Sequence, residues 1–125
     1  MIRYIFCMKR KENISHADFR RQWHSAECDQ IFERMKSFYG DIQISRSNTL
    51  QIDVNDWIQN LRNTQDPFDG IMEYSFKSGT DFIGKAKSPE AIALLAEMTE
   101  FLAGFVDFSK SSSFFTEMPS FCASE

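Results

Sequence analysis

The sequence predicts an α+β fold in which two helices cover one face of a four-stranded antiparallel sheet. Segments with apolar residues at every second position alternate with segments whose apolar residues recur at helical spacing. Capping residues precede the helical segments, and Gly, Pro or polar residues bound the strands. The predicted order is β-α-β-β-α-β, which is the ferredoxin-like arrangement.

The first half of the chain predicts a strand, a long helix and a second strand. Residues 2–8 alternate, with Ile2, Tyr4, Phe6 and Met8 on one face. Ser15 is an N-cap residue for a helix that we expect to run to about residue 38, before Gly40. Residues 41–53 form a second strand region.

The second half begins with a polar segment, residues 55–67, whose isolated apolar group includes Trp57. This segment is predicted as a short helix or an excursion that could plug part of a cleft. Residues 70–77 alternate as a third strand, and 80–87 predict a short helical turn.

A second long helix and a last strand complete the prediction. Ser88, Pro89 and Glu90 supply a cap, a first-turn proline and a first-turn acid, and a helical apolar stripe follows them. Residues 113–121 predict the fourth strand, where Pro119 suits an edge position.

The sheet face away from the helices carries Ile5, Cys7, Ile71 and, on this prediction, Phe115. A homodimer that packs sheet against sheet would cover these residues. The alternative is a half-hydrated sheet with scattered apolar residues.

Composition limits the function classes. The 125 residues predict one domain, 1–125. A net charge of −4 disfavours a nucleic-acid binder, and no apolar run is long enough to span a membrane. No signal-peptide pattern is present, and three cysteines without a C-x-x-C pair fit a reducing compartment. We therefore expect a cytoplasmic protein with no nucleic-acid or membrane partner.

Aromatic residues give the leading candidate for a ligand site. If the predicted topology holds, six of them converge between the sheet and the helices, where they could line a cleft for a flat apolar ligand. The two tyrosine hydroxyls would orient that ligand. The alternative is a filled core made of the same side chains. The six are Tyr4, Phe6, Trp23, Phe32, Tyr74 and Phe76.

Several short motifs occur in a recognisable order. They are MIRY at 1–4, KRK at 9–11, Ser15 followed by DFRRQW at 18–23, PFDGIME at 67–73, SPE at 88–90, and FVD at 105–107 followed by Ser109. In this order and spacing the chain resembles the EthD family, named for ethyl tert-butyl ether degradation. The resemblance implies a dimeric α/β barrel with a ligand cleft between each subunit's sheet and helices. The wider superfamily includes cofactor-free oxygenases, haem-degrading enzymes, and lactone-forming or dehydrating enzymes.

Two positions depart from the family pattern, which often places a His four residues after the helix Trp and a Pro two residues later. Here these positions hold Glu27 and Asp29, and the nearest imidazole is His24. On one continuous helix, His24 and Glu27 would lie within about 60° of each other. We therefore expect Glu27 to be the general base, helped by His24 or a tyrosine. The alternative is a solvated carboxylate paired with Arg20 or His24.

Neither a metal nor a cofactor is expected. His16 and His24 are too far apart for one ion, and His24 with Cys28 lacks further ligands. The predicted function is the binding of a small apolar or aromatic molecule, with or without cofactor-independent proton transfer such as dehydration, isomerisation or lactone handling. A non-enzymatic accessory protein of a degradation or oxidation pathway is the alternative.

Overall fold

Four antiparallel strands form one sheet in the order β2-β3-β1-β4. The structure, a computed structural model, describes residues 1–117. The strand order and the antiparallel pairing confirm the predicted ferredoxin-like α+β fold. The elements are β1 (Ile2–Met8), α1 (His16–Trp23), α2 (Ala26–Tyr39), β2 (Gln43–Asn48), α3 (Asp53–Arg62), β3 (Gly70–Phe76), α4 (Gly79–Ala86), α5 (Pro89–Leu102), a 3₁₀ turn (Phe108–Lys110) and β4 (Ser112–Glu117).

The first crossover is two helices, so the prediction of one helix to residue 38 is wrong. Ser15 caps α1 as expected: its hydroxyl accepts a hydrogen bond from the backbone N–H of Asp18. A second cap follows at Ser25, whose backbone is extended and whose hydroxyl accepts from the N–H of Cys28 at 3.3 Å. A serine that bonds its own backbone in this way ends one helix and begins another.

The connections between strands contain more helix than expected. The segment predicted as a short helix or an excursion is α3, which ends at Asn63 in the left-handed conformation with φ 56°. The predicted helical turn is α4. Ser88 is the N-cap of α5, and Pro89 follows it in the first turn. Strand β2 is shorter than residues 41–53. The predicted continuation of β4 through Pro119 to residue 121 lies outside the described residues.

The core lies between the helices and one face of the sheet. Strand residues such as Phe6, Met8 and Met72 pack there against Trp23 and Phe105 from the helical layer, and all five are at most 8% exposed. Within residues 1–117, no helix has the length and apolar content needed to cross a membrane.

The uncovered sheet face carries Phe114, and the prediction of Phe115 on that face is wrong. Phe114 is opposite Ile5 in the β1–β4 register, whereas Phe115 is opposite Tyr4 and contacts its ring at 5.1 Å between centroids. Adjacent strand residues point to opposite faces, so the register decides which phenylalanine is on which side. Cys7 and Ile71 are paired on the uncovered face as expected.

Candidate functional site

A cavity of about 310 Å³ lies between the sheet and α5, and we call it the tyrosine cavity. It occupies the position that the sequence predicts for a ligand cleft. Its lining residues come from β1, β3, α5 and the segment that leads into β4. They are Tyr4, Phe6, Met72, Tyr74, Leu95, Met98, Thr99, Leu102, Phe108, Ser111, Ser112 and Ser113.

The wall of the cavity is mostly apolar and partly aromatic. Phe6 stacks on Phe108 with 6.1 Å between ring centroids and an interplanar angle of 7°. Tyr4 and Tyr74 face each other across the β1–β3 pair, with centroids 5.8 Å apart. A flat apolar molecule would therefore meet ring faces from neighbouring strands, the arrangement that aromatic stacking requires.

Tyr74 lines this wall, but its hydroxyl is fully buried and not open to the cavity, and it has no hydrogen-bond partner among the described residues. Burial raises the pKa of Tyr74, and the neighbouring Tyr4 adds to that effect. The hydroxyl therefore stays protonated and can donate a hydrogen bond. A buried polar group without a partner costs free energy, so this hydroxyl lowers the stability of the folded protein.

Three of the six predicted aromatic residues line the cavity, and three belong to the filled core. Tyr4, Phe6 and Tyr74 are the lining residues. Trp23, Phe32 and Phe76 are at most 6% exposed and do not border the cavity.

Aromatic rings and an arginine side chain pack around the core residues Trp23 and Phe32. Phe32 lies edge-on to Trp23 and to Tyr74, at centroid distances of 6.0 Å and 6.4 Å. The Arg46 guanidinium lies 5.5 Å from the Phe32 centroid and donates to the carbonyl of Trp23 at 2.9 Å. The Trp23 indole nitrogen also has no partner among residues 1–117, but it lies in this filled region.

The structure does not bring His24 and Glu27 to the tyrosine cavity. His24 is the C-cap of α1, is exposed, and has its Nε2 2.7 Å from the amide nitrogen of Asn48. Glu27 is exposed and borders a groove toward α5 that also includes Glu97 and Glu100. The break at Ser25 also removes the continuous helix on which their 60° separation was based. Their catalytic roles remain predictions without a supporting contact.

A charged cluster at the far end of the sheet centres on Asp69, a residue that the sequence did not indicate as a partner of the basic segment 9–11. Asp69 is 6% exposed, and its carboxylate accepts from the backbone N–H of Arg10 at 2.8 Å. Arg10 Nε and His16 Nε2 lie 3.5 Å and 3.3 Å from the same carboxylate oxygen, and Lys9 Nζ lies 4.0 Å from the other. These contacts tie the end of β1 to the start of β3. Among residues 1–117, no group of three or more His, Cys, Asp or Glu side chains is arranged to hold a metal ion.

Residues from α5 and the segment before β4 are the lining residues that sequence reasoning missed. Leu95, Met98 and Leu102 belong to the predicted apolar stripe of α5, so the periodicity marked them as core. The pattern does not show which of them leave space against the sheet. Phe108 lies in a short 3₁₀ turn that no periodicity indicates.

Comparison with known sequences gives no family. No protein-family model matches the chain, and no curated protein matches it. The resemblance to the EthD family therefore remains a proposal.

Comparison with solved structures supports the fold. A dimeric protein of unknown function with a ferredoxin-like fold from Bacteroides fragilis matches with a TM-score of 0.58 at 12% identity, over 94% of this chain and 95% of that one. A protein from Arabidopsis thaliana matches with a TM-score of 0.57 at 14% identity, over 98% and 100%. A hydroxynitrile lyase from Passiflora edulis matches with a TM-score of 0.52 at 18% identity, over 96% and 95%. At these identities the similarity shows a ferredoxin-like fold and nothing more specific.

Proposed function

We propose that this protein is an EthD-like dimeric α/β barrel protein that binds a small apolar or aromatic molecule in the tyrosine cavity. The observation that carries the proposal is a cavity between the sheet and α5 whose mostly apolar, partly aromatic wall also includes hydroxyl groups, those of Tyr4 and Ser113 among them. Ligand cavities commonly combine an apolar lining with a few polar groups that fix orientation.

The hydroxyl groups of the lining define the chemistry of the ligand. The half-buried Tyr4 and the serines of the lining can donate hydrogen bonds, so the complementary group is an acceptor such as a carbonyl or ether oxygen. A ligand carboxylate would lose much of its hydration in this apolar site without a cation to compensate. An aromatic or polyketide-like ketone fits these requirements.

The lining favours binding over proton-transfer catalysis. Within the described residues, no carboxylate or imidazole borders the tyrosine cavity. This supports the non-enzymatic accessory role over a general base at Glu27. The fold itself is compatible with small-molecule chemistry, since a hydroxynitrile lyase shares it. An enzymatic version of the proposal would rely on Tyr4 as the half-buried proton carrier of the cavity.

The uncovered sheet face is the proposed homodimer contact. Ile71 and Phe114 on this face are 36% and 45% exposed, and Cys7 lies beside Ile71. Arg3 and Glu73 form an ion pair of 2.5 Å there, which a second sheet can cover without leaving an isolated charge. A protein of similar fold from Bacteroides fragilis is dimeric.

Two matched probes test the proposed ligand chemistry. Acetophenone carries a carbonyl acceptor on an aromatic ring, and ethylbenzene has a similar shape without the acceptor. Tyr4→Phe should weaken acetophenone binding about two- to tenfold, the value of one hydrogen bond, and leave ethylbenzene binding unchanged. Ser113→Phe should abolish the binding of both, because Ser113 lines the cavity and the larger ring would fill it. Acetophenone binding that is equal in wild type and both variants, measured by calorimetry, would refute the proposal.

A further inference from the structure

The apolar face of α3 is turned away from the protein, the reverse of an ordinary surface helix. A surface helix normally turns its apolar stripe toward the core and its polar side toward solvent. In α3 the residues that face the body of the protein are polar, and no residue of the helix is buried. Asn55 donates to the carbonyl of Leu50 at 2.6 Å, and Gln59 donates to the Asp66 carboxylate at 2.8 Å. Both side chains are half-buried.

The apolar residues of α3 form a continuous stripe on the outer side. Val54, Trp57, Ile58 and Leu61 have i, i+3, i+4, i+7 spacing and therefore share one face. They are 52%, 64%, 37% and 68% exposed. This stripe does not plug the tyrosine cavity, because none of the four residues borders it. A large exposed apolar patch of this kind indicates a partner surface.

The charges on α3 favour an identical helix as the partner. Asp53 and Asp56 lie in its first turn and Arg62 in its last turn. An antiparallel pair places the acidic first turn of one helix at the same end as the arginine of the other, and it opposes the two helix dipoles. A parallel pair would bring like charges together. The stripe is also nearly symmetric about its midpoint, as a two-fold contact requires.

We propose that α3 binds α3 of a second copy of this chain as an antiparallel helix pair, with the Val54–Trp57–Ile58–Leu61 stripes packed together. The contact goes beyond the proposed ligand function and uses no residue of the uncovered sheet face. It would add a second chain-to-chain contact to the sheet-to-sheet dimer. The two contacts can be tested separately, because α3 variants leave the sheet face intact.

Disulfide trapping tests the geometry of the pair. In the antiparallel arrangement, position 54 of one chain is opposite position 61 of the other. Two copies of position 54 are then about 10 Å apart along the pair, too far for a disulfide. A mixture of Val54→Cys and Leu61→Cys proteins should therefore form a mixed disulfide, while Val54→Cys alone should not. Val54→Cys mixed with Asn60→Cys is the control, since residue 60 lies on another face.

Wild-type protein treated in the same way reports any coupling through its native cysteines. Failure of the 54–61 mixture to couple beyond the 54–60 control would overturn the proposal. Self-coupling of Val54→Cys that equals the mixed product would overturn it as well, because that result indicates a parallel pair.

Fluorescence quenching gives an independent measurement on the unmodified chain. The protein has two tryptophans, and Trp23 is fully buried while Trp57 is 64% exposed. Acrylamide should therefore quench mainly Trp57. We expect quenching to decrease as the wild-type concentration rises, and to remain high at every concentration in Leu61→Ser. Trp57 that stays equally quenchable in both proteins would overturn the proposal and would point to a different partner for the stripe.

Discussion

Tyr74→Phe should make the protein more stable. The substitution removes one buried oxygen that has no hydrogen-bond partner among the described residues. The ring remains, with its contacts to Tyr4 at 5.8 Å and Phe32 at 6.4 Å. An unsatisfied buried hydroxyl costs roughly 1–3 kcal/mol, so we expect the free energy of unfolding to rise by about 1–2 kcal/mol. For a domain of this size that corresponds to about 4–8 °C in melting temperature.

Urea unfolding measures this change. The midpoint should move to higher urea while the slope stays constant, which shows that stability changed and not the surface exposed on unfolding. Tyr39→Phe is the matched control. It also removes a phenolic oxygen, but the Tyr39 hydroxyl is not one of the fully buried groups without a partner. We expect the control to change stability by less than about 0.5 kcal/mol. A Tyr74→Phe protein that is less stable than wild type would refute the assignment of an unfilled donor.

The pH dependence of stability provides a second readout of the same variant. Burial raises the pKa of Tyr74 in the folded state, whereas an unfolded tyrosine ionises near pH 10. Below that pH both states hold the proton, and above it only the folded state does. Stability therefore falls as the pH rises above about 10. Tyr74→Phe should reduce this alkaline loss. It should not remove the loss entirely, because burial also raises the pKa of Tyr39 and brings that of Cys28 to about 11. An unchanged alkaline loss would contradict the buried position of the phenol.

Two further predictions concern the frame that holds the site. Ser25→Ala should lower the free energy of unfolding by about 1 kcal/mol, similar to Ser15→Ala, because both serines accept from a backbone N–H at the start of a helix. A change near zero in thermal unfolding would argue for one continuous helix. Asp69→Asn should lower the free energy of unfolding by about 2 kcal/mol. The substitution removes a buried charge beside Arg10 and Lys9, which are partly exposed. The exposed Asp66→Asn is its control, and equal effects of the two substitutions would contradict the structural role of Asp69.

The fold could be predicted from the sequence because its local signals agree with one another. Alternation in β1 and β3, together with the caps at Ser15 and Ser88, indicates the strands and the starts of the two main helical segments that the structure shows. The break at Ser25 was missed because a serine in a helical pattern also fits an exposed interior position. Phe115 was placed on the wrong face because two adjacent phenylalanines satisfy the pattern in either register.

The candidate site could be predicted only in part. Strand alternation placed Tyr4, Phe6 and Tyr74 on the helix-facing side, and these three line the cavity. Strand alternation also included Phe76, and helical periodicity included Trp23 and Phe32, and these three fill the core. Whether facing side chains meet or leave a void depends on their volumes and on helix position, and neither can be read from periodicity. Similarly, periodicity shows that the apolar residues of α3 share one face, but it does not show that this face is turned outward.

Intermolecular nuclear Overhauser effects between acetophenone and methyl-labelled protein test most directly whether the tyrosine cavity is the ligand site. The methyl groups of Met72, Met98 and Leu102 line that cavity, whereas those of Val54 and Leu61 lie on the outer stripe of α3. We predict contacts from the probe to the first group, and their loss in Ser113→Phe. Contacts confined to the α3 methyl groups, or an unchanged pattern in Ser113→Phe, would contradict the account.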